Sequence, residues 1–125
     1  MNRKLFAFGI IFAAAFVLYA QDTKTVKIEG YIMDNACAAS HVKDANFVEK
    51  VKKHSTSCAL QPNCAESGYV VYTTDAKLYK LDQAGNKSAQ ELLKETDTKT
   101  GVQVSVEGTI DGDTIKVTKI TEKTN

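Results

Sequence analysis

Residues 25–33 alternate in character: Val26, Ile28, Gly30 and Ile32 point one way, and Lys27, Glu29, Tyr31 and Met33 the other. A period of two with β-branched side chains on one face predicts a half-buried strand. Gly30 in mid-strand predicts a bend or bulge, as a strongly coiled barrel requires. The turn formers Asp34 and Asn35 end the strand.

Through residues 36–66 the alternation disappears. Asp44 can cap a short helix running to about residue 53, with Phe47, Val48 and Val51 as its apolar stripe. Residues 55–67 are small and polar, are broken by Pro62-Asn63, and predict an irregular loop. A loop of that length inside a small domain is usually functional or cross-linked.

Residues 69–73 and 77–81 predict two short strands joined by a tight turn at 74–76. Residues 82–86 contain Gly85 and Asn86 and predict a break. Ser88 and Glu91 have the spacing of a capping box, opening a helix to about residue 95 with Ala89, Leu92 and Leu93 facing inward. Residues 102–110 alternate again, Asp111-Gly112 supplies a hairpin turn, and residues 114–120 return. Ile120 falls out of phase with Ile115 and Val117, which predicts a bulge or fraying near that end.

The chain is therefore expected to be mainly β with one or two short helices. Five strands with a helix between the third and fourth is the element order of a five-stranded OB-like barrel. A small open β-sandwich is the alternative; helix placement favours the barrel. The insertion, residues 34–68, falls between strands one and two, at the rim that binds ligands in OB-folds.

That insertion holds Cys37, His41, His54, Cys58 and Cys64, every cysteine and histidine in the sequence. Cys37 and His41 are four apart, as are His54 and Cys58, so on helical backbone each pair lies on one face. Two such sulfur–nitrogen pairs suit tetrahedral zinc or copper(I), with Cys64 as a fifth candidate. Two other chemistries fit the same residues. One disulfide could staple the insertion and leave a thiol over. A Cys–His nucleophile could also be assembled from Cys37 with His54 or from Cys58 with His41, and Asp34 or Asn35 is a possible orienting group. The sequence lacks both the C-x-x-C redox spacing and the C-x-x-C-H haem motif.

The N-terminus supplies the compartment. Arg3 and Lys4 precede an apolar run, residues 5–18, and Ala20 offers a small residue for cleavage. Residues 1–20 are thus expected to be a secretory signal and residues 21–125 a single exported domain, periplasmic or extracellular. Fourteen apolar residues are short for a bilayer span, so no membrane attachment is expected after cleavage. The remaining 105 residues carry fourteen basic and fifteen acidic side chains, a net charge of −1 that gives no attraction to nucleic acid. Tyr31, Tyr69, Tyr72 and Tyr79, all on predicted strands, then read as core and cross-strand packing. Lys50, Lys52 and Lys53 read as the solvated face of a short helix.

One stretch has a familiar outline. Gly30, Asp34 and Cys37, then His41, Cys58 and Cys64, Gly68-Tyr69, residues 77–82 and the closing hairpin 104–117 resemble a group of small exported bacterial domains of uncharacterised function. The hairpin is also similar to exported bacterial OB-fold stress-associated proteins. The resemblance implies export and a β-barrel and assigns no activity. The expected role is a small, non-enzymatic binding protein that holds zinc or copper through the Cys/His cluster. The alternatives are a disulfide-stapled module for an envelope protein or glycan, and a thiol-dependent enzyme.

Overall fold

The computed structural model describes residues 24–124, so the expected signal segment lies outside the described residues. The described chain is mainly β. Strands β1 (Val26–Asp34), β2 (Tyr69–Thr73), β3 (Leu78–Leu81), β4 (Gln103–Asp111) and β5 (Thr114–Glu122) make one mixed sheet. Its order is β1-β2-β3-β5-β4, with β4 returning to β1, so the sheet closes into a ring. All pairings are antiparallel except β3 with β5, which run parallel through Lys80–Thr114 and Leu81–Ile115.

β1 serves two neighbours in succession, β4 along residues 26–31 and β2 along residues 30–34. Gly30 sits at the handover, paired with both Thr73 and Val104. A Cβ there would lie 2.1 Å from the Tyr72 carbonyl oxygen. Only glycine lets the backbones approach so closely where the strand coils from one partner to the next.

The ring encloses Ile32, Val71, Leu81, Val104, Val106 and Ile115. Helix α5 (Gln83–Glu95) covers this core through Ala89 and Leu93. It begins five residues before the predicted capping box, because Asp82 caps it by accepting a hydrogen bond from Gly85 N–H at 2.9 Å. The glycine that reads as a breaker is therefore part of the first turn. The expected irregularity in the closing hairpin is a register shift at Glu107/Gly108, opposite Lys119 and Val117. It leaves Thr118 without a partner in the register and brings Ile120 back onto the core.

The insertion departs most from expectation. In place of one helix and a loop it holds four short helices: α1 (Asn35–His41), α2 (Phe47–Lys52), α3 (Thr56–Ala59) and α4 (Pro62–Glu66). Met33, Val70, Ala38, Phe47 and Val51 form a second apolar cluster where α1 and α2 cover the outer face of β1 and β2. Phe47 meets Tyr72 edge to face, with centroids 5.4 Å apart. This explains why Ile32, Met33 and Asp34 are all buried despite their alternation: one face looks into the ring and the other under the helices. Among the described residues, no helix is long and apolar enough to cross a membrane.

Candidate metal centre

The centre is assembled by capping. Asp34, the last residue of β1, is the N-cap of α1, and its Oδ2 accepts from Cys37 N–H at 2.9 Å. Ser55 repeats the device as the N-cap of α3, its Oγ accepting from Cys58 N–H at 3.1 Å. Each cap contributes about 1 kcal/mol to its helix end, and each fixes a cysteine in a first helical turn. Cys64 arrives on α4, which starts with Pro62. Ser67 ties that helix to α1, donating from Oγ to the Cys64 carbonyl at 2.6 Å and accepting from Ala36 N–H at 3.1 Å. Gly68, at φ +83°, then turns the chain into β2, a left-handed backbone that L side chains rarely adopt.

Two further contacts hold α3 in place. Tyr69, the first residue of β2, pairs with Asp34 across the strands and donates its buried hydroxyl to the Ala59 carbonyl at 2.9 Å. Residues 54–56 are pinned to the segment before β4: Gly101 N–H donates to the His54 carbonyl, Thr56 N–H to the Lys99 carbonyl and Thr56 Oγ1 to the Thr98 carbonyl.

The result is a group of four. A carboxylate oxygen of Asp34 and the Sγ atoms of Cys37, Cys58 and Cys64 all lie within 4.8 Å of one another. The three thiols are free and form no disulfide. A zinc ion with Zn–S bonds of about 2.3 Å holds its sulfurs about 3.8 Å apart in a tetrahedron. The group is therefore close enough to hold one metal ion with a small contraction.

Asp34 is fully buried, and its Oδ1 receives a hydrogen bond from His54 Nε2 at 2.7 Å. Burial pushes its carboxyl upward, but the bonds from His54, the Cys37 amide and the Cys37 thiol outweigh that and hold it below the usual carboxylate range. Asp34 is thus an anion at neutral pH, and His54 Nε2 carries the shared proton. Each carboxylate oxygen has a second lone pair, so these bonds leave room for a metal. The anion also acts on its neighbours. Burial, then the charge of Asp34, pushes the Cys37 thiol up to about 12 and the Cys64 thiol upward as well. Tyr69 rises to about 12 for the same two reasons. Without a cation, Cys37 and Cys64 are protonated.

Of the five residues singled out by the sequence, the fold brings the three cysteines together and leaves both histidines out of the group. His54 and Cys58 do not form a helical pair, because α2 ends at Lys52 and the cap at Ser55 intervenes. His54 stands behind Asp34 instead, as an orienting partner. Cys37 and His41 do share α1, but His41 Nδ1 is bound to Asp44 Oδ2 at 2.8 Å, which Lys50 also contacts at 2.6 Å. Those two contacts hold the Asp44 carboxyl below its ordinary range. Asp44 is therefore committed to His41 and Lys50, and α2 starts two residues later than expected, capped at Asn46 with no side-chain cap bond. The residue that sequence reasoning passed over as a ligand is Asp34. Its signal was Asp-x-x-Cys, a capping residue three positions before a cysteine, which the Ser55-x-x-Cys58 spacing repeats.

A surface cleft of about 450 Å³ opens beside the group, its walls including Cys37, His41, Lys50, Lys53, His54 and Cys58. Cys37 and Cys58 are among its walls; Cys64 and Asp34 are not. Fold and site together define a small closed β-ring whose helical insertion carries an aspartate and three cysteines. Compared with family models, with curated proteins and with solved structures, the chain shows no match.

Proposed function

We propose that this is an exported, OB-like β-barrel protein that binds a soft or borderline metal ion, zinc or copper(I), through Asp34, Cys37, Cys58 and Cys64. The observation that carries the reading is the convergence of four ligand atoms within 4.8 Å with the thiols unbridged. Three thiolates select thiophilic ions over magnesium or calcium, which take all-oxygen sites. Asp34 completes four-coordination, and His54 fixes its orientation as outer partners of metal ligands do. The OB-like reading is supported by the strand order, the helix between β3 and β4, and the placement of the insertion between β1 and β2. Export is supported by the basic and apolar character of residues 1–20. An ion held by four protein ligands has no position open for a substrate, which favours binding over catalysis.

The test is elemental analysis of untagged protein purified without chelator, followed by zinc and copper(I) titration of the reduced protein against a competing chelator. One ion per chain in the wild type, and none in Cys58→Ser, is expected. Equal metal content in the two proteins would end the proposal.

A further inference from the structure

The cleft reaches only part of the cluster. Cys37 and Cys58 line it, while Cys64, carried on α4 and tied through Ser67 to α1, does not. Cys37 and Cys58 belong to two short helices that converge on the cluster with their sulfurs within 4.8 Å. A sulfur-bearing reagent that enters the cleft therefore meets two neighbouring thiols, while Cys64, half-buried like them, is not among the cleft walls. We propose that Cys37 and Cys58 are a thiol–disulfide exchange pair, oxidised through the cleft by a small disulfide, and that Cys64 stays reduced.

The chemistry is balanced by the incoming disulfide. One cleft thiol gives up its proton and attacks a sulfur of the reagent; a mixed disulfide forms, and the departing thiolate takes the proton. The second thiol then attacks the protein-side sulfur of that mixed disulfide. The Cys37–Cys58 bond forms, the second thiolate leaves and takes the second proton. Two protein thiols have lost two electrons, and one small disulfide has become two small thiols. The cleft wall sets Lys50, Lys53 and His41 beside Glu49, and Lys50 and His41 are both bound to Asp44, so its charge does not select the reagent and oxidised glutathione serves as a generic small disulfide. The same bond removes two of the three sulfurs from the metal group, so oxidation and metal occupancy exclude one another. Only this last consequence rests on the metal-binding reading; the exchange pair stands on the cleft and the thiols alone.

The experiment treats reduced, metal-free protein and zinc-treated protein with oxidised glutathione, alkylates the remaining thiols and maps them by mass spectrometry. In the metal-free protein the alkylatable thiols should fall from three to one, with Cys37 linked to Cys58 and Cys64 alkylated. Cys64→Ser should form the same bond. Zinc-treated protein should keep three alkylatable thiols, and oxidised protein should take up no zinc. Three surviving thiols in the metal-free protein, a stable glutathione adduct, or a bond that includes Cys64 would each overturn the exchange pair, whatever zinc does. If the bond forms as expected while the reduced protein takes up neither zinc nor copper(I), the pair stands and the metal-binding reading falls.

Discussion

Asp34 Oδ1 and His54 Nε2, twenty residues apart in sequence, lie 2.7 Å from each other. The aspartate is fully buried, and the histidine is 10% exposed. This contact joins the end of the first strand to the linker between α2 and α3, and so fixes the floor on which the three thiols stand.

Replacing either partner should cost more than a surface pair would. His54→Ala leaves a buried carboxylate short of a donor, and a loss of about 2 kcal/mol is expected, as for a buried acceptor that loses its hydrogen-bond partner. Asp34→Asn keeps a capping side chain for α1 and should cost less. Urea unfolding of the reduced, metal-free proteins gives both values. Equal, sub-kcal/mol losses would show that the contact carries no weight.

The same carboxylate predicts a pH dependence. Its folded pKa is depressed by the bonds that outweigh its burial, so the folded state binds this proton more weakly than the unfolded chain. Its stabilising contribution is therefore complete above the unfolded value of about 3.9 and is lost as pH falls through the lower folded value. Acid unfolding of metal-free wild type should be steeper below about pH 4 than that of Asp34→Asn. Parallel acid limbs would count against this assignment.

Metal uptake should release protons and tighten with pH. Cys37, pushed up to about 12, and Cys64, pushed up as well, are protonated in the metal-free protein and must ionise to bind. Zinc added at pH 7 in weak buffer should liberate about two protons or more per ion bound, readable with an indicator dye. Uptake without proton release would mean that the thiols are not the ligands.

His41 offers the contrasting control. Its imidazole is tied to Asp44 and lies outside the group of four. His41→Ala should leave metal stoichiometry unchanged and alter stability by less than about 1 kcal/mol, as for an exposed pair. Loss of the ion in this variant alone would place His41 among the ligands.

Gly30 tests the coiling of β1. Alanine there would bring a Cβ to 2.1 Å from the Tyr72 carbonyl oxygen, a backbone atom that cannot swing aside. Gly30→Ala should destabilise the protein by about 3 kcal/mol or more by thermal or chemical unfolding. A near-neutral variant would show that the two strands can part at little cost.

The sequence by itself determined the strands and their succession along the chain: period-two alternation in residues 25–33 and 102–110 encodes which face is buried, and a tight turn separates the short runs 69–73 and 77–81. It also located the chemistry, since every cysteine and histidine falls in one insertion. It marked Gly30 as special and predicted an irregularity near Ile120, both local consequences of pleat and phase. Of the four short helices only α2 was legible, through Phe47 and Val51; the other three, of four to seven residues, have too few turns for a periodic signal and are stabilised by caps and packing. Nor was the composition of the site. Spacing in sequence paired His54 with Cys58 and Cys37 with His41, as if helices ran unbroken, but the cap at Ser55 breaks one pair and Asp44 engages the histidine of the other. Asp34 read as a turn former because its burial depends on helices packed from elsewhere in the chain. Which side chains could share one ion was decided by where β1, α3 and α4 converge in space, a long-range property that no local pattern records.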